Sequence, residues 1–263
     1  MESSSELYRL AKQWVLEAGE QLRKTMDGSL TITYKTSAAD IVTQKDVEIE
    51  TFFADRLRSA FPSHYLLGEE GASHNKEFDP ADETVWIIDP IDGTTNFVHL
   101  GRIFCISLAV YQKGKPLIGI VYDPIADELF HAMVGSGAYL NDNKLDELTE
   151  TTIEESVISI NQLWTVPNNK VDNKKLHKLV QDVRGTRYFG SAALEMAYVA
   201  CGRLDSYFDF RLSTWDMAGA MVILAEVNAE MSTINRQPIE LFSPSTTVFS
   251  RPSLHNKLLD YIN

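Results

Sequence analysis

The chain has 263 residues, 44% of them apolar, with two cysteines and a formal charge of −13 from 24 Lys plus Arg against 37 Asp plus Glu. That length buries roughly three quarters of the unfolded surface without disulfides, and the acidic balance, lacking any basic patch interleaved with aromatics, excludes an extended nucleic acid as partner. No apolar run approaches the roughly 20 residues of a membrane span, and MESSSELYRLAKQWVLEAGEQL at the amino terminus has no cationic stretch leading into an apolar one, so the expectation is a soluble, cytoplasmic protein without membrane contact.

In chain order, Leu7, Leu10, Ala11, Trp14, Val15, Ala18 and Leu22 recur at helical spacing and predict an amphipathic helix. GSLTITYKTSAADIVT suggests a short hairpin with a mobile tip, followed by a second helix over about 45–60. Trp86, Ile87 and Ile88 read as a strand that Pro90 and Gly93 bring to an end. RIFCISLAVYQ, the turn KGKP and LIGIVYDP predict a hairpin, and ELFHAMVGSGAYLNDNKL adds strand material. Beyond a boundary at ELTETTIEES the rhythm becomes strand (SVISI), helix (174–182), strand (GTRYFG), helix (SAALEMAYVA), strand (LDSYFDF) and helix (MAGAMVILAEV). The reading is an α+β subdomain over 1–148 and an α/β subdomain over 149–263. Cys105 and Cys201 lie in apolar contexts and read as core residues.

The chemistry gathers at WIIDPIDGTTNF, residues 86–97, where two aspartates end a buried-looking strand. Two such acids repel each other by several kcal/mol at interior dielectric unless a cation lies between them. Glu69 and Glu70 in LLGEEG, Asp216 in STWDMAGA and Asp46 in DIVTQKD are further candidates, because magnesium takes a few carboxylates and leaves its other positions to water and phosphate. Each has a plainer explanation. Thr43 and Asp46 have capping-box spacing, Asp216 suits a helix start, and the glutamates suit a solvated turn. Gly93, Thr94 and Thr95 open a turn whose amides suit an anion, and the Thr94 hydroxyl can orient a water.

DPIDGTTNF with GEE upstream and WDMAG downstream resembles the inositol monophosphatase family of magnesium-dependent, lithium-sensitive phosphatases, over nearly the whole chain. The resemblance implies a five-layered αβαβα fold, a homodimer, and hydrolysis of a small phosphate monoester by water without a phosphoenzyme. It also implies two to three Mg2+ ions. Glu69, Asp89 and the Ile91 carbonyl would hold one, Asp89, Asp92 and Asp216 a second, and Glu69 with waters a third. Asp46 and Thr94 would position the water, with the Gly93 and Thr94 amides on the phosphate and Lys35 near the metals. Gly190, Ser191 and Ala192 match a loop beside the substrate hydroxyls, or serve as a helix cap. Asp209 stands where the family commonly has a longer Glu touching those hydroxyls, and EVNAEMST replaces a Gly-Gly turn, with Asn228 able to take a left-handed position. Inositol monophosphate is the default substrate; fructose 1,6-bisphosphate, NADP, 3′-phosphoadenosine 5′-phosphate and histidinol phosphate are alternatives.

Two competing readings are weaker. An aspartate-nucleophile phosphatase wants its two aspartates flanking one residue, whereas Asp89 and Asp92 flank two. A calcium-binding regulatory module needs alternating acids and a glutamate at the twelfth position, which DPIDGTTNFVHL lacks. His99 reads as a packing or loop residue.

Overall fold

The apolar stripe of the first segment winds into α1 (Ser4–Thr25), started by Ser3, whose hydroxyl accepts the Glu6 N–H at 3.2 Å. The computed structural model describes residues 3–26, 32–34, 41–71, 78–243 and 245–262. β1 (Ile32–Tyr34) pairs antiparallel with β2 (Ile41–Thr43). The tip of that hairpin, Lys35 included, lies outside the described residues. α2 (Gln44–Ala60) starts on the expected capping box and buries Asp46, Ile49, Glu50, Phe53 and Leu57, so two acids share its inward face with the apolar residues.

There follow β3 (Tyr65–Gly68), β4 (Thr84–Asp92), α3 (Thr94–Leu100), β5 (Cys105–Gln112), β6 (Lys115–Asp123), β7 (Glu128–Met133), β8 (Ala138–Leu140) and β9 (Asn143–Lys144). β3 to β9 form one sheet in sequence order. All its pairings are antiparallel except β3 with β4. The second half contributes β10 (Val157–Ile160), a 3₁₀ turn (Gln162–Trp164), α4 (Asn173–Asp182), β11 (Gly185–Arg187), α5 (Ala192–Ala200), β12 (Ser206–Leu212), α6 (Thr214–Ala225), β13 (Glu230–Thr233), β14 (Ser245–Ser250) and α7 (Pro252–Ile262). Its sheet runs β11-β10-β12-β14-β13. β10 lies parallel to β11 and β12, as strand–helix alternation requires, but β14 is antiparallel to both its neighbours. The alternation therefore stops at α6. Asn228 takes the left-handed turn that follows, with φ 61°.

Period-two alternation on the strands sorts the side chains into three cores. Trp86, Ile88, Leu108 and Ile120 face α1 and α2. Val85, Ile87, Ala109 and Val121 face α5 and α6, which also meet Tyr207 and Phe249 of the second sheet. Phe208 and Val248 point the other way, onto Leu176 and Leu179 of α4 and Leu254 and Leu258 of α7. The result is an αβαβα sandwich, the fold class implied by the resemblance. In its central layer α6 lies unusually close to the first sheet: a Cβ on Gly119 would sit 2.2 Å from the Gly219 carbonyl oxygen, and one on Gly219 would sit 2.9 Å from the Ile120 oxygen.

Candidate active site

Asp89 and Asp92 are separated by an odd number of steps, which in a regular strand sends their side chains to opposite faces. The structure resolves this with a bulge. Asp89 pairs with Ser107 and Asp92 with Cys105, so three steps on β4 match two on β5. Pro90, which has no N–H to give a ladder, falls inside the irregularity. Both aspartates thus face α5 and α6, while Ile91 packs fully buried among the residues under α1 and α2. Gly93 then turns the chain into α3 with φ 93°, a left-handed value that favours glycine.

Several helix starts meet this strand end. At the start of α2, Asp46 accepts both the Thr43 N–H (2.8 Å) and the Thr43 hydroxyl (2.6 Å) on Oδ2, while its Oδ1 lies 3.4 Å from the Thr94 hydroxyl. The capping role expected of Asp46 thus uses one oxygen of its carboxylate and leaves the other toward Thr94. The Thr94 hydroxyl also donates to the Ile91 carbonyl at 3.0 Å. At the start of α5, Ser191 Oγ and the Ala193 N–H donate to Asp92 Oδ2 at 2.7 and 2.6 Å, and the Cys105 thiol lies 3.7 Å from the same oxygen. An oxygen so engaged is badly placed to act as a nucleophile. At the start of α6, Asp216 Oδ2 accepts the Ser213 N–H at 2.7 Å, and Ser107 Oγ donates to the Trp215 carbonyl at 3.3 Å, tying that start to β5. Because β3 runs parallel to β4 with Gly68 opposite Ile88, Glu69 emerges next to Asp89.

Burial dominates the titration of these acids, and they also act on one another. Burial, then Glu69, Asp92, Asp216 and Asp46, hold the Asp89 carboxyl well above the usual carboxylate range. Burial pushes Asp92 up to about 6 against the pull of the Ser191 hydroxyl and the α5 amides. Burial likewise raises Asp46 to about 6 and Asp216 well above its ordinary value. All the donors are hard oxygens, the set that suits a small divalent cation, and a cation would relieve both the desolvation and the repulsion. Among the described residues no three His, Cys, Asp or Glu side chains gather closely enough to hold an ion by themselves.

The remaining candidates divide. Glu70 donates its N–H to Glu50 Oε2 at 2.7 Å. Ser191 is the N-cap residue of α5, with its hydroxyl turned to Asp92. Asp209 accepts the Trp164 indole N–H at 3.1 Å and the Arg211 N–H at 3.0 Å, so each of its oxygens is already engaged within the chain. His99 is exposed in the last turn of α3, and Cys201 is only half-buried, whereas Cys105 is fully buried at the site. Sequence reasoning passed over Glu50 and Glu195. Glu50 was visible as a second acid one turn after Asp46, and Glu195 as the lone charge in AALEMAYVA.

A cavity of about 160 Å³ opens among Asp92, Ser191, Asp209, Arg211 and Asp216. A larger one, about 680 Å³, adjoins it and shares Asn161, Tyr188, Gly190 and Arg211.

The family model described as "Inositol monophosphatase family" matches residues 3–263. The chain belongs to this family. Membership in the inositol monophosphatases makes it a phosphatase. It is 44% identical over 260 residues to the inositol-1-monophosphatase of Bacillus subtilis, covering 99% of this chain and 97% of the relative. It is similar to a crystal structure of inositol monophosphate bound to the Staphylococcus aureus inositol monophosphatase-II, with TM-score 0.86, 36% identity and coverage of 98% and 93%. An IMPase/NADP phosphatase complexed with NADP and Ca2+ superposes with TM-score 0.92 at 26% identity, covering 100% of this chain and 97% of the other.

Proposed function

We propose that the chain hydrolyses a small phosphate monoester, inositol monophosphate first, with Mg2+ and without a covalent intermediate. The observation that carries this reading is the bulged end of β4, where Asp89 and Asp92 both face α6, whose first turn holds Asp216, with Glu69 and Asp46 close enough to act on Asp89. Glu69, Asp89, the Ile91 carbonyl, Asp92 and Asp216 would hold the metal. A bound divalent cation supplies positive charge that neutralises phosphoryl oxygens and makes water a stronger acid. Residues 1–148 bring most of these oxygens, and residues 149–263 close the site with Asp216 and the α5 start. Asp46 Oδ1 and the Thr94 hydroxyl hold the attacking water. Asp46 Oδ1, left free by the capping pair on Oδ2, is the oxygen that would take a proton from that water. The Gly93 and Thr94 amides orient the phosphate. In the same reading the protein works as a cytoplasmic homodimer; no described helix is long and apolar enough to cross a membrane.

The test is phosphate release from inositol 1-phosphate with and without Mg2+, repeated with Li+ and in D92N. The expected result is metal-dependent release that lithium inhibits and that falls at least about a hundredfold in D92N. Equal release with and without metal, or an acyl-phosphate mimic trapped by beryllium fluoride, would reject the mechanism.

A second substrate reading, a nucleotide 2′-phosphate such as that of NADP, is favoured by the larger cavity. Leu100, Leu163, Val166 and Tyr188 line it while being 57%, 53%, 52% and 44% exposed. Such a wall suits a flat heterocycle better than a polyol, and Arg211 offers a charge to a second phosphate. Comparing kcat/KM for adenosine 2′-phosphate and inositol 1-phosphate decides between the two substrates.

A further inference from the structure

We infer that Glu195 is a positioning residue for Asp92, acting through the turn at 189–191; the inference rests on reading Asp92 as a metal ligand. Glu195 is fully buried in an otherwise apolar helix whose neighbours, Leu194 and Met196, satisfy the core by packing alone. A carboxylate in that position is expensive to desolvate, so it must be matched by donors. Its Oε1 accepts the N–H groups of Phe189 and Gly190, both at 2.8 Å, and its Oε2 meets the Ser159 hydroxyl. The same turn is gripped from the opposite side. Asn96, from the first half of the chain, donates through Nδ2 to the Phe189 carbonyl at 2.6 Å and to the Ile103 carbonyl at 2.8 Å. The next residue is Ser191, which with Ala193 supplies two of the donors on Asp92 Oδ2. Glu195 and Asn96 therefore form a clamp that fixes the turn, and the turn fixes the Asp92 carboxylate. If the turn slips, both of those donors move together.

The conservative variant separates placement from charge. In E195Q one amide oxygen still accepts both N–H groups, and the NH₂ can donate to Ser159. E195D draws the acceptor back by one methylene, and E195L removes it while filling the space. Mn2+ affinity is measured by electron paramagnetic resonance titration without substrate, beside kcat, KM and a thermal melt, with D92N as reference. E195Q should stay within about threefold of the parent, while E195D and E195L melt cooperatively, bind Mn2+ at least about tenfold more weakly and lose kcat more than KM. Parent-like Mn2+ affinity in E195L alongside weakened affinity in D92N overturns the clamp alone. Unchanged affinity in D92N overturns both the clamp and the ligand reading beneath it. An E195Q as impaired as E195L, or loss of the fold in E195D, also overturns the proposal.

Discussion

At the scale of single residues, Asp46 gives the sharpest separation of stability from turnover. An asparagine can still cap α2 through its one remaining oxygen, but it cannot take a proton toward Thr94. D46N should therefore lose no more than about 1 kcal/mol of stability while kcat falls by roughly 10² to 10⁴; a melt and a phosphate-release assay on the same preparation check both halves. Two buried histidines outside the acidic cluster contribute to acid sensitivity. His131, hydrogen-bonded to the Tyr8 hydroxyl, and His255, between Ser232 and Ser250, are each lowered from 6.5 to about 4, chiefly by burial. A lowered folded pKa means that the unfolded chain takes up protons first. Their contribution is complete above about pH 6.5 and is lost as the pH falls toward 4, while the raised carboxyls of Asp46, Asp92 and Glu195 change stability in the opposite direction over the same range. The histidine share is therefore read as the difference in melting temperature between the parent and His131→Gln, which should shrink across that window. At this scale the acids at element ends were legible because charge after an apolar run is costly without a purpose. Glu195 was passed over: the amides it serves lie only five and six residues upstream, but nothing in AALEMAYVA shows that the turn at 189–191 folds back onto its own helix.

Elements tell a different story. The strand was evident in Trp86 to Ile88, yet the bulge was not, although Pro90 between two acids hinted that the ladder is interrupted there. Deleting Ile91 tests the bulge: it leaves Asp92 two steps from Asp89, on the same face and still opposite Cys105, while removing the extra residue and its buried side chain. That variant should melt lower, because it removes a fully buried isoleucine from the core under α1 and α2, and lose turnover, because it removes the Ile91 carbonyl and shortens the chain leading into Gly93; if it hydrolyses substrate at the parent rate, the bulge has no role. The approach of α6 to the sheet makes a second prediction. Adding one methyl in Gly119→Ala forces the Gly219 carbonyl away and should cost about 1–3 kcal/mol, read as a shift in urea midpoint. β13 and β14 escaped the sequence pattern because EMST and STTVFS are short and rich in hydroxyl residues, without the apolar alternation that marks β4 to β6.

For the whole molecule, the central helices matter most. α5 and α6 pack against both sheets, so neither half covers its own apolar face, and unfolding should be one transition by circular dichroism and by tryptophan fluorescence alike. A cation that binds only the folded acids adds stability by mass action. Mg2+ at a hundred times its dissociation constant should contribute about 2.7 kcal/mol, a rise on the order of 5 to 10 °C for a domain of this size, reversed by chelation and absent in D92N. The division into an α+β and an α/β half was readable from the apolar periodicity along the chain, whereas the five-layer order came from the resemblance carried by DPIDGTTNF, GEE and WDMAG. The seat of α6 on the backbone of β5 and β6 has one further consequence. Asp216 rides on a helix with no slack beneath it, so one jaw of the cleft is stiff, whereas the opposing jaw, near Leu163, Val166 and Tyr188, rests on exposed side chains that tolerate replacement. New substrate preferences are therefore most cheaply written on that second jaw, leaving the acids where they are.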